Sequence, residues 1–158
     1  MDTNPRTSCY VKTVDNAEGK SSFQRWYLCF TACREAFKSG CRKIVGVDGC
    51  HLNTKRGGQL LVAVGIDPNN NIFSIAYGLV EIENKESWEW FLKHLCEDIV
   101  DSETVEGQDN EWTCMSDKHQ QQFNINNSSI EAFKTVLLRV DHRSKAVDQG
   151  LFHHCCQV

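Results

Sequence analysis

Two apolar runs lying close together in the chain set the strongest limit on the fold. "QLLVAVGI" and "NIFSIAYGLVEI" are both rich in aliphatic and aromatic residues, and "DPNNN" between them supplies the proline and asparagines of a turn. Apolar strands joined by so short a connection pair as antiparallel neighbours. A hairpin of residues 59–66 with 72–82 is therefore expected at the centre of a sheet.

The flanking segments extend this pattern. "KIVGV" is a short β-branched run of the kind found in a buried strand, "SCYVKTVD" alternates as an edge strand does, and "SSFQRWYLCF" reads as a further extended run. Thr31 is placed to cap a short helix, "ACREAFKS", that Gly40 would stop. Trp88, Phe91, Leu92, Leu95, Cys96 and Ile99 recur at helical spacing, so "SWEWFLKHLCEDIV" is expected to be an amphipathic helix packed on the sheet. Trp90 falls on another face of that helix, where it is expected to cover a neighbouring element that this chain has lost. After an acidic loop, "WTCMS" is a short strand ending on Asp117, and "KHQQQFNINN" reads as a loop. Ser128 and Glu131 have capping-box spacing, which predicts a helix with Ile130, Phe133 and Leu137 on one face, followed by a strand near "LRVDHR".

With 158 residues the chain is sized for one core. The expected division is residues 1–40 as a strand and helix segment leading into the core, 41–143 as the α/β domain, and 144–158 as a divergent tail. No apolar run is long enough to span a bilayer and the N-terminus has no signal-peptide pattern, so a soluble intracellular protein with no membrane partner is expected. Nine cysteines, an odd number without regular spacing, argue against a disulfide framework and for small buried apolar residues. The net charge of −4 disfavours tight non-specific binding to nucleic acid, but it averages a basic front, residues 1–60, with an acidic middle, residues 61–118. Such an asymmetry suits a DNA-facing surface beside a cation-concentrating site, although solvated charge runs also produce it.

Three antiparallel strands, then a helix and a strand parallel to the first, begin the ribonuclease H fold. The fold class expected is therefore α/β, a ribonuclease H-like mixed sheet that is incomplete at its C-terminal end. In that architecture the first strand and the strand after the helix are neighbours, and Asp48 and Asp117 stand at their ends. Paired carboxylates of this kind supply the hard oxygen ligands that Mg²⁺ or Mn²⁺ prefers, and two ions roughly 4 Å apart can stabilise both the attacking and leaving oxygens of a phosphodiester.

The ordered set "GVDGCHL", "GGQLL", "AVGIDPNN", "VEIENKESWEWFL" and "SDK" resembles the central domain of plant Mutator-like, MuDR-type transposases over roughly residues 20–120. The resemblance implies a DDE-type transposase that cuts DNA and joins the freed 3′-hydroxyl to a target. Asp48 would be its first metal-binding carboxylate and Asp117 its second, with nuclear residence and DNA as the partner. Departures accompany it. "QQQFNINNSS" is inserted after the second aspartate, His142 and Arg143 then recover the family's His-Arg pair, and the match ends there. No residue matches the third carboxylate. The resemblance thus implies a truncated catalytic domain, with a non-catalytic module that binds DNA or full-length transposase as the alternative.

Each candidate has a plainer reading. Asp48-Gly49 alone is a turn dipeptide, and Asp117 alone is a helix cap. Lys55 and Arg56, before two glycines, suit contact with a DNA phosphate, yet an exposed basic turn needs no partner. Asp141 falls where the family has a non-catalytic residue. His153, His154, Cys155 and Cys156 are adjacent and cannot readily wrap one tetrahedral Zn²⁺. Cys29 and Cys33 lack a partner pair at usable spacing.

Overall fold

The computed structural model describes residues 4–17, 19–53, 57–100, 112–116 and 133–134. Its elements are β1 (Ser8–Asp15), β2 (Ser21–Cys29), α1 (Thr31–Gly40), β3 (Ile44–His51), β4 (Gln59–Ile66), β5 (Ile72–Val80), α2 (Lys85–Ile99), β6 (Trp112–Ser116) and β7 (Phe133–Lys134). The strands form one mixed sheet in the order β1-β2-β5-β4-β3-β6-β7. The expected hairpin is present, with Gln59 opposite Val80 and Ile66 opposite Ile72. Its second strand ends at Val80 rather than residue 82, because the chain turns there to start α2: Asn84 Oδ1 accepts from the Ser87 N–H at 2.9 Å and Ser87 Oγ donates to the Ile82 carbonyl.

β3 pairs antiparallel with β4 and parallel with β6, as the order of apolar segments predicts. β1, the edge strand, pairs only with β2, and β2 joins the far side of the hairpin through Trp26 opposite Leu79. The two helices lie against one face. Trp88, Phe91, Leu92, Leu95 and Ile99 of α2 and Phe37 of α1 are buried with Tyr27, Val45, Val47, Leu61, Ala63 and Val80 of the strands. Glycine permits this approach: a Cβ on Gly65 would sit 2.5 Å from the Phe37 ring and one on Gly78 2.6 Å from the Phe91 ring.

Four local expectations change. Phe30 is the residue before α1, whereas Thr31 is its first residue and uses Oγ1 to donate to the Pro5 carbonyl at 2.8 Å. A tertiary acceptor has replaced the cap. Trp90 packs edge-on to Tyr27 at 6.5 Å and to His94 at 5.0 Å, so β2 is the element it covers. Of the seven described cysteines, all free thiols, only Cys29 and Cys114 are fully buried; Cys9 is exposed and the rest are intermediate. Phe133 and Lys134 are extended, not helical, and pair with Trp112 and Thr113. Backbone groups on the outer edge of β6 need partners, and two residues of strand supply them. The remainder of the expected capping-box helix and the strand near "LRVDHR" lie outside the described residues.

Two buried charges fasten the helices to the N-terminal hairpin. Asp98 of α2 accepts from Ser8 Oγ, from Tyr27 OH at 2.8 Å and from Arg34 Nη1 at 2.9 Å. Arg25, 1% exposed, is bidentate to Glu81 and also reaches the Glu86 carbonyl at 3.2 Å. Hydrogen bonds from Arg25 hold the Glu81 carboxyl below its ordinary value of 4.5. A carboxyl depressed in the folded state gives stability that is complete above the unfolded value and lost as pH falls through the folded one. Glu81→Gln should therefore melt below wild type at neutral pH, and the gap should close as pH falls below the ordinary glutamate value of 4.5 and through the lowered folded one. A gap of constant size across that titration would contradict the ion pair's role.

Candidate functional site

Asp48 stands inside β3, not at a turn. It pairs with Val62 of β4, and the strand continues through Gly49 and Cys50 to His51, opposite Gln59. Turn chemistry is thereby overruled for the Asp-Gly dipeptide: β4 supplies a complete ladder of partners, and the ladder fixes both residues in extended backbone. The strand also runs three residues past the aspartate that was expected to end it.

Alternation decides which way the carboxylate points. Val45 and Val47 belong to the core beneath the helices, so Gly46, Asp48 and Cys50 project from the opposite face. There a Cβ on Gly46 would meet Val64 Cγ2 at 3.1 Å. Asp48 thus rises from a wall that includes Val62 and Val64, and it is only partly buried. Its Oδ1 accepts from the Gly49 N–H at 2.8 Å.

β6 runs alongside in the same direction, with Val45 opposite Cys114, Gly46 opposite Met115 and Val47 opposite Ser116. Asp117, Lys55, Arg56, Asp141, His142, Arg143, His153, His154, Cys155 and Cys156 lie outside the described residues. Among the described residues no group of three His, Cys, Asp or Glu side chains is gathered for a metal ion.

On the helix side of the same strand end, further polar groups gather that sequence reading alone did not single out. Glu83 lies over Gly49, where a Cβ would be 3.3 Å from its Oε1, and that oxygen accepts from Trp88 Nε1 at 3.2 Å. Gln59, 6% exposed, places Nε2 3.0 Å from His51 Nδ1. The only sequence signal for this pair is the hairpin register, which sets residues 51 and 59 opposite each other across the "LNTKRGG" connection.

An α/β domain with a carboxylate-bearing strand held between an antiparallel and a parallel neighbour is the class of protein that this geometry defines. The family follows from comparison. A model of the MULE transposase domain matches residues 44–146, and the chain belongs to that family. Nothing matches it among curated proteins or among solved structures. The family match begins at the first residue of β3, so it takes in the carboxylate-bearing strand, the hairpin, α2 and β6. No helix among the described residues is long and apolar enough to cross a membrane.

A strand carboxylate that is only partly buried contributes little to folding. Asn at position 48 retains an oxygen for the Gly49 N–H and removes a charge from an apolar wall. Asp48→Asn should leave the unfolding free energy unchanged within about 1 kcal/mol, or raise it. Chemical denaturation measures this, and a loss of several kcal/mol would mark Asp48 as a structural residue.

Proposed function

We propose that this chain carries the ribonuclease H-like core of a DDE-type transposase of the plant MuDR branch, and that its site acts on DNA in the nucleus. Asp48 and Asp117 are its metal ligands, and Mg²⁺ or Mn²⁺ is the ion. The observation that carries this reading is the register between β3 and β6. Val47 lies opposite Ser116, and in the sequence an aspartate follows each of them, Asp48 and Asp117. Parallel strands stand about 4.8 Å apart, which supports reading the two aspartates as a pair that holds hard divalent ions.

The ion supplies charge neutralisation at a phosphodiester and a lowered pKa for bound water. The protein supplies fixed oxygens. Asp48 has its backbone fixed by strands on both sides, and its half-buried carboxylate beside Val62 stays open to an ion while its electrostatic contacts are stronger than in bulk water. Lys55 and Arg56, in the connection that leaves β3, are the proposed contacts to DNA phosphates.

A second reading is a module that binds DNA or a full-length transposase without cutting. Incubating the protein with Mn²⁺ and end-labelled DNA, beside Asp48→Asn and Asp117→Asn, separates the two. The catalytic reading expects slow, metal-dependent nicking that both substitutions abolish. Binding without nicking would support the module, and nicking that survives both substitutions would overturn the assignment of these aspartates.

A further inference from the structure

At the end of the sheet away from the candidate site, β1 stands last in the strand order. It pairs only with β2, from Ser8 opposite Cys29 to Asp15 opposite Ser21. Ser22 Oγ donates to the Val14 carbonyl at 3.1 Å, so residue 14 turns its backbone toward β2. Backbone groups alternate in direction along a strand, which aims those of Cys9, Val11 and Thr13 outward. Among the described residues no other strand pairs with that edge.

Proteins guard such an edge with proline, with a very short strand, with a bulge or with a projecting lysine. β1 is eight residues long and has no proline. The irregularity in its pairing leaves the extra residue, Gln24, in β2, so β1 itself stays regular. Its one lysine, Lys12, is turned back toward Glu86 at 3.7 Å. Val11 is 60% exposed, Val14 47% and Tyr10 43%.

The edge is complementary to itself. Laid antiparallel against a second copy about a twofold axis through Val11, it sets Val11 against the partner's Val11, Tyr10 against the partner's Lys12 and Cys9 against the partner's Thr13. The outward groups of residues 9, 11 and 13 then meet one another in about six hydrogen bonds between the chains. Other axes fit less well. One through Tyr10 shortens the paired run to residues 8–12, one through Lys12 opposes two ammonium groups, and one through Thr13 sets Val11 against an aspartate. With the axis at Val11, an apolar row runs from Trp26, which lies opposite Val11, through both copies of Val11 to the partner's Trp26. On the other face Tyr10 is held by stacking on His94 at 4.2 Å, and the partner's Lys12 brings a cation beside its ring.

We propose that β1 is a dimerisation edge whose partner is β1 of a second copy of this chain, joined antiparallel about Val11 so that the two sheets become one. The inference goes beyond the transposase reading, since β1 precedes the span that matches the family model. One strand from each copy buries less than the roughly 800 Å² per partner of a standard interface, so the association is weak and depends on concentration.

Sedimentation equilibrium of the purified chain, with reductant present to keep Cys9 a thiol, should show a reversible monomer–dimer equilibrium. Val11→Lys, which opposes two ammonium groups at the axis, should weaken dimerisation about tenfold. Because Val11 is exposed, the variant should melt as the wild-type monomer does. Amide exchange on the wild type locates the contact without any substitution. The amides of Cys9, Val11 and Thr13 should exchange more slowly as concentration rises, while those of Tyr10, Lys12 and Val14, bonded to β2, should not change. A wild-type chain that stays monomeric to its solubility limit would overturn the inference. So would a dimer that Val11→Lys leaves intact, or protection that grows with concentration elsewhere and not at residues 9, 11 and 13.

Discussion

Parallel hydrogen bonding between β3 and β6 is the constraint on which the proposed site of this domain depends. A strand can acquire a parallel neighbour only if the chain travels back to the end where it began, and here β4, β5 and α2 make that journey. The helix that covers the return also buries one face of the sheet, with Trp88, Phe91 and Leu95 fully enclosed. The same packing that stabilises the fold thus brings residue 116 opposite residue 47. Without it, Asp48 and the aspartate that follows Ser116 in the sequence would be unrelated points on a long polypeptide.

The N-terminal hairpin is fused to this arrangement more firmly than the family match alone suggests. Residues 44–146 match the family model, yet β1, β2 and α1 precede that span. β2 continues the sheet beyond β5, and its Arg25 and Tyr27 are tied to Glu81 and Asp98, residues that flank and belong to α2. Burial drives the Tyr27 phenol well above its ordinary range, with the adjoining Cys29 and Asp98 adding to the effect, so it stays protonated and donates. Removing either carboxylate would strand a buried donor, which is why the hairpin and the helix are coupled energetically and not merely in contact.

Elements with a strong period were legible in the sequence. The hairpin of β4 and β5 and the stripe of α2 follow from apolar spacing alone, and β3 and β6 follow from short β-branched or aromatic runs. What failed to read through was set by tertiary partners. Thr31 gave up its capping role to bond Pro5, Trp90 found Tyr27, and the Asp48-Gly49 dipeptide was drawn straight by β4 despite its preference for turns. Phe133 carried the spacing of a helix and was recruited as strand by an open edge. Of the site, Asp48 was singled out by its place after an apolar run, whereas His51 and Gln59 could not be seen. Their relationship exists only once the hairpin register is known, because seven residues separate them in the chain.

The proposed site requires a divalent ion held between β3 at Asp48 and the end of β6, and Mn²⁺ reports on that directly through paramagnetic broadening of backbone amide signals. On titration with Mn²⁺, the amides of Val47, Gly49, Met115 and Ser116 should broaden together and ahead of the rest, and Asp48→Asn should abolish the effect at both strands. Broadening confined to the acidic middle of the chain, or unchanged in that variant, would contradict it.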